Sequence, residues 1–257
     1  MRIAVLLKEV PDTYSDREMN LQTGLTDRSG DVVADEVSER AVEAALRIAE
    51  AGENAEVEIL SVGPESSADS VRRGIAMGAS EAYIVSDEAL TGADVTLTAE
   101  VLAKLVEKQG YDLVIAGAES SDGGTGVIAP FMAELLDWPV LTNLTELTLE
   151  GDTVRATQAS DAATAQLEAQ LPAVVSVADE FADPRFPNFK GLMAAKKKEL
   201  HAITLAELGV DPDDFTHPRA IMTSIERRPE RERGEIIDGN NTAAARLVDF
   251  LESKNLI

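Results

Sequence analysis

The sequence holds no cysteine in its 257 residues. Disulfides, thiolate metal sites and cysteine nucleophiles are therefore excluded. Histidine is almost as scarce, with only His201 and His217. A histidine-rich metal site is ruled out, and a Ser-His-Asp triad would have to recruit one of these two from polar surroundings late in the chain. Aromatic residues make up 4% of the chain, so the core must be built from Val, Leu, Ile and Ala. Long apolar runs are also missing. The opening "MRIAVLLKEV" is apolar for only a few residues before Lys8, too short for a signal segment or a membrane span. It reads as a buried strand, and the protein as cytoplasmic with no direct membrane insertion.

Positive charge is the other shortage. Lys and Arg total 23 against 47 Asp and Glu, a formal net charge of -24. Repulsion of that size argues against nucleic-acid binding. Only eight of the 23 cations are lysines. Acidic, lysine-poor surfaces suit high salt, which screens their repulsion, so a halophilic source is expected. Four of the eight lysines, Lys190 and Lys196 to Lys198, lie within nine residues.

What is present is a regular alternation. Residues 2–7 form a short apolar run, and 11–30 read as a polar loop. From Asp35 to Ala51 apolar residues recur at helical spacing until Gly52. "AEVEILSV" is a second strand, followed by a helix over 66–77, a third strand "EAYIVS", and a helix over 94–108 capped by Asp94 or Thr96. "YDLVIAGA" is a fourth strand, and an apolar helix follows over 127–136. This predicts a doubly wound, mostly parallel α/β sheet. Around Glu150-Gly151-Asp152 two alternating runs predict an added β-hairpin, and "LPAVVSVA" is a further strand. Residues 1–200 form the nucleotide-binding domain in this reading. Residues 201–257 form a charged C-terminal arm expected to pack on a partner subunit, with "ERRPERERGE" extended and a helix over 242–251.

In such sheets ligands sit beyond the carboxyl ends of the strands, at the switch point. The loop after the fourth strand, "GAESSDGGTG", has glycines that let backbone N–H groups approach a phosphate ahead of a helix N-terminus. It is neither a Walker A loop, lacking the lysine, nor a Rossmann fingerprint, not following the first strand. The ends of the first and second strands and residues 35–38 would frame the same pocket. An unliganded turn remains the alternative on spacing alone. No nucleophile with a base and no ligand cluster for a catalytic metal is visible, so no catalytic residue is assigned.

"FADPRFPNFKGLMAAKKKEL", residues 181–200, is stiffened by Pro184 and Pro187 and exposes Phe189, which suits partner docking. A core-packed crossing segment is the alternative. A helix can start at Leu192.

Taken together, "IAVLLKEVPDT", "AVEAALRIAE", "DLVIAGAESSDGGTG…AELLDWP", "DPRFPNFKGLMAAKKKEL" and "LVDFLESKNLI" resemble the β subunit of electron transfer flavoprotein over nearly the whole chain. The resemblance implies an adenine nucleotide α hydrolase-like fold and a heterodimer with an α subunit that holds most contacts to a redox FAD. It implies structural AMP in the β pocket, or a second FAD in electron-bifurcating members. Electrons would come from acyl-CoA dehydrogenases or similar flavoenzymes and pass to a membrane quinone oxidoreductase, the chain itself being a carrier subunit and not an enzyme. The cofactor positions carried over are Leu6, Asp35, Glu36, Val37, Ser38, Val62, Gly117, Ala118, Glu119, Ser120, Ser121, Asp122, Gly123, Gly124, Thr125, Gly126, Val127 and Ile128. The docking positions are Arg185, Phe186, Pro187, Asn188, Phe189, Lys190, Gly191, Leu192, Met193 and Ala194, with Phe189 as hydrophobic anchor. Residues 35–38 and 126–129, "DEVS" and "GVIA", depart from the family pattern. A solitary universal-stress-like adenine-nucleotide-binding protein is the competing reading.

Overall fold

The computed structural model describes residues 1–15, 17–231, 233–239 and 241–257, and of Glu53 the backbone alone. The expected loop over 11–30 and the charged stretch 226–235 each include one residue outside that set, Asp16 and Glu232. The chain divides into two units, Met1–Thr223 and Ser224–Ile257.

The first unit is built on strand β1, Arg2–Leu6. It lies between β4, Glu56–Val62, and β6, Leu113–Gly117, parallel to both. Successive side chains of a strand point to opposite faces. Ile3 and Val5 accordingly enter one core cluster, with α1 (Glu36–Ile48) and α2 (Ala68–Met77). Ala4 and Leu6 enter the other, with α3 (Val95–Gln109) and α4 (Ile128–Leu136). Burial on both faces is why these strands read as continuous apolar runs.

The full order across the nine-stranded sheet is β11-β5-β4-β1-β6-β10-β7-β8-β9. β5 is Glu81–Val85, and the last parallel strand on that side is the short β11, His201–Ile203. On the other side β10, Ala173–Val177, is fully buried and sits between β6 and β7 (Val140–Glu150), parallel to both. β7, β8 (Thr153–Ala159) and β9 (Thr164–Gln170) form an antiparallel meander. The first turn is the expected Glu150–Asp152 one, with Gly151 at φ 60°, a left-handed conformation that favours glycine. In β9, Thr164, Gln166, Glu168 and Gln170 face solvent while Ala169 is buried. The architecture is thus the doubly wound α/β sheet with an added hairpin.

Several elements go beyond the sequence reading. β2 (Glu9–Pro11) and β3 (Val32–Ala34) pair antiparallel and close off the 11–30 loop at its base. β9, β11 and the four-residue α6 (Leu205–Leu208) were not expected. α6 is held by a capping box in which Thr204 and Glu207 exchange hydrogen bonds. Helix α5, Phe189–Lys197, starts three residues before Leu192 because the Asn188 side chain accepts from the Gly191 N–H as N-cap.

Of the buried carboxylates, Glu58 sits on a central strand of the sheet. Glu58 is 3% exposed and receives the Arg2 guanidinium at 2.8 and 2.9 Å and the Tyr111 hydroxyl at 2.6 Å. Unpaired, it would cost several kcal/mol. In the second unit, helix α7 (Ala243–Ser253) has no buried residue, and Arg246 pairs with Glu235. Among the described residues no helix is long and apolar enough to cross a membrane.

Candidate functional site

β4 and β5 lie to one side of β1, and β6 and β10 to the other, so the switch point falls between β1 and β6. Leu6, Val62 and Gly117 are the last or near-last residues of three adjacent strands, β1, β4 and β6. The residues 35–38 and 117–128 are gathered at this same end. Gly117 comes so close to the first turn of α1 that a Cβ there would sit 3.0 Å from the Val37 carbonyl carbon and 3.2 Å from the Ser38 nitrogen. Only glycine fits without a shift.

Asp35 ties these pieces together. It is 1% exposed, and its backbone N–H donates to the Lys8 carbonyl at 2.9 Å. One carboxylate oxygen caps α1, accepting from the Ser38 N–H at 3.0 Å and the Ser38 hydroxyl at 3.1 Å. The other accepts from the Ser121 N–H at 3.0 Å. The departure from the family pattern at Asp35 is therefore a carboxylate committed to backbone donors inside the fold. Glu36, next to it, is exposed.

The loop itself is braced by charge. Asp122 has a side chain 3% exposed; Lys8 Nζ lies 2.7 Å from one of its oxygens and Arg28 Nη2 2.5 Å from the other. The Ser120 hydroxyl and the Gly123 N–H also donate to it, at 2.8 and 2.7 Å. Burial pushes the Asp122 carboxyl up, but the Lys8 hydrogen bond and charge, with Ser120 and Arg28, outweigh it and hold it at about 2. Arg28 also donates to the Glu9 carbonyl at 2.9 Å, and Arg17 to the Ser121 carbonyl. The 11–30 segment is thereby fastened to the glycine loop. Sequence reasoning missed Lys8, Arg17 and Arg28, since their partners lie about a hundred residues away and no local pattern marks them.

Beyond Asp122, residues 123–126 are exposed, with Gly124 and Gly126 at φ 57° and 65°. α4 follows directly. Its N-cap, Val127, offers no side-chain cap, so the first peptide N–H groups of α4 keep their donor capacity and partial positive charge. The Ser121 hydroxyl is buried without a hydrogen-bond partner. An orphan hydroxyl, an uncapped helix start and exposed glycine peptides are a donor set that fits a phosphate-bearing ligand. Ser121 also lines a cleft of about 510 Å³, with Asp12, Tyr14, Glu36 and Arg73 among the other lining residues. Of the candidate cofactor residues only Glu36 and Ser121 line it.

The second group of candidate residues is not brought to this site. It rests on the later part of α1 and on α2. Phe186 is 90% exposed and Phe189 79%, with Leu192 and Met193 both exposed beside them. Gly191 allows α5 to cross α2 closely, for a Cβ there would stand 2.4 Å from the Ala76 carbonyl oxygen. Lys190, Lys196 and Lys197 are exposed, whereas Lys198 turns back to Glu81 at 2.6 Å. An apolar tip beside exposed lysines therefore projects from an acidic molecule.

Comparison with known proteins bears on the family to which the chain is similar. The family described as Electron transfer flavoprotein domain matches residues 23–208. The chain is 39% identical over 263 residues to "Electron transfer flavoprotein subunit beta" of Mycobacterium tuberculosis, covering 99% of each chain. It is 40% identical over 264 residues to the protein of the same name from Mycobacterium leprae, again covering 99% of each. It is 31% identical over 264 residues to "Caffeyl-CoA reductase-Etf complex subunit CarD" of Acetobacterium woodii, covering 100% of each.

Proposed function

The chain belongs to the electron transfer flavoprotein family, among its β subunits, and from that premise we propose that it works as half of a heterodimer, binding AMP structurally and docking flavin dehydrogenases. The redox FAD in this reading is held mainly by the α subunit. Acyl-CoA dehydrogenases or similar flavoenzymes supply the electrons, and a membrane quinone oxidoreductase accepts them. When bound, FAD supplies the electron-carrying chemistry, and AMP supplies none. The chain's own residues bind and orient.

The observation that carries this reading is the donor set at the switch point: the uncapped start of α4, the exposed peptides of 123–126 and the orphan Ser121 hydroxyl. These supply neutral donors and a helix dipole for a phosphate, and among the described residues the cations beside the loop, Lys8, Arg17 and Arg28, each have an internal partner. Lys8 and Arg28 are spent on Asp122. Such a site favours a ligand of low charge, which suits a monophosphate. Asp35 and Ser38 hold the start of α1 against Gly117 and so fix the wall where an adenosine would lie.

The docking half rests on Phe186 and Phe189. Aromatic side chains this exposed are costly for a lone chain and typical of an interface anchor.

The test is identification of the nucleotides released on denaturing the chain purified with its α subunit. One AMP and one FAD per heterodimer are expected. Two FAD would make the 117–128 loop the site of a second redox flavin and move the reading to a bifurcating complex. ATP, or no nucleotide, with no α subunit retained would overturn the reading in favour of a solitary nucleotide binder.

A further inference from the structure

We propose that Arg185 is a positioning residue for docking: its guanidinium bridges Glu43 and Glu50 and so holds Phe186 and Phe189 out in one fixed pose toward the partner flavoenzyme. This inference rests on the docking reading above.

Phe181 and Ala195 bury the two ends of the segment in the core, and no apolar side chain is buried between Asp183 and Ala194. Phe186 and Phe189 point into solvent, and the two prolines restrict φ only at their own positions. What fixes it is a set of arginines. Arg185 Nε lies 2.8 Å from Glu43 Oε2, and the Arg185 backbone N–H donates to the same oxygen at 3.2 Å. Its Nη1 and Nη2 lie 2.5 and 3.0 Å from the two oxygens of Glu50. Glu43 is a nearly buried carboxylate, its side chain 5% exposed, and Arg47 Nε takes its other oxygen at 2.8 Å. Glu50 stands in the turn that continues α1 past Ile48. The two carboxylates are seven residues apart, about two helical turns, so they lie on one face of the same helix. A planar fork of five donors spans them, whereas a lysine ammonium reaches one.

Two further arginines close the ends. Arg40, also on α1, donates to the Phe181 carbonyl and lies 3.1 Å from Asp183. Arg72 donates to the Ala195 and Lys198 carbonyls at 3.1 and 2.6 Å, where α5 ends. Arg185 anchors the middle of the loop, next in sequence to Phe186. The same helix that takes this anchor begins at Asp35, which holds Ser121 of the glycine loop. One rigid element therefore sets the docking tip and the nucleotide loop in a common frame.

The test uses the heterodimer with its flavin bound. The donor is an acyl-CoA dehydrogenase reduced by its acyl-CoA substrate, and dithionite serves as a reductant that needs no docking. Arg185→Ala is expected to raise the KM for the flavoprotein about tenfold, with kcat changed by less than about twofold. Reduction by dithionite should stay at the wild-type rate. Arg185→Lys should recover part of the loss. A raised KM in Phe189→Ala beside an unchanged KM in Arg185→Ala overturns the positioning role alone. An unchanged KM in Phe189→Ala overturns the docking reading and this inference with it. If Arg185→Ala does not fold, Glu50→Gln alters an exposed partner, and hydrogen exchange of the amides of 185–190 should then speed up. Unchanged protection there overturns the bridge.

Discussion

Replacing Asp122 by asparagine removes one negative charge from the clamp between Lys8 and Arg28 while leaving a side chain of the same shape. In the fold the Asp122 carboxyl is held at about 2, against 3.8 for a free aspartate. A shift of just under two units corresponds to about 2 kcal/mol of extra stability from the ionised form. Because the folded value lies below the unfolded one, this contribution is fully present above pH 4 and is lost as pH falls through about 2. The carboxylate is nearly inaccessible, its side chain 3% exposed, so solvent screening takes little from that figure. Urea unfolding of the heterodimer, followed by far-ultraviolet circular dichroism at pH values from 6 down to 2, measures it. Asp122→Asn should be less stable by about 2 kcal/mol at pH 6, and the gap should close toward pH 2. A gap of constant size over that range would refute the reasoning, since shape and not charge would then account for it.

Gly191→Ala puts a Cβ 2.4 Å from the Ala76 carbonyl oxygen, a backbone atom with little room to move. Thermal unfolding should show a loss of about 1–3 kcal/mol, and wild-type stability would contradict the close crossing of α5 over α2. Thr204→Ala breaks the capping box of α6, which should cost about 1 kcal/mol locally and appear as faster amide exchange over Leu205–Leu208. With a net charge of -24, the melting temperature should rise on going from dilute buffer to molar KCl; a flat or falling curve counts against an acidic surface adapted to salt.

The parallel sheet was legible because its strands are buried on both faces and its helices carry clear stop signals, such as Gly78 and Gly110. β9 was not, because "TAQLEAQ" places alanine where an alternating strand normally shows a large apolar residue. β2, β3 and β11 are three residues long, shorter than any periodicity can register. At the candidate site the glycines gave away the loop. Its electrostatic bracing stayed hidden, since Lys8, Arg28 and Asp122 meet only after the chain has folded. The exposed segment around Phe186 and Phe189 was marked by its prolines and phenylalanines, but its fastening to Glu43 was not. Within α1 that glutamate reads as an ordinary solvated residue, yet it is 4% exposed.

The two ends of the sheet differ in a way that matters before the protein ever meets a partner. At one end β11 is three residues long and leaves little backbone open. At the other, β9 runs for seven residues without a proline or a lysine, and pairs on one side only. A row of open N–H and C=O groups of that length is a template for another chain's strand. Each copy of the chain is thus open to self-association along this edge, and the repulsion between molecules of net charge -24 is what opposes it.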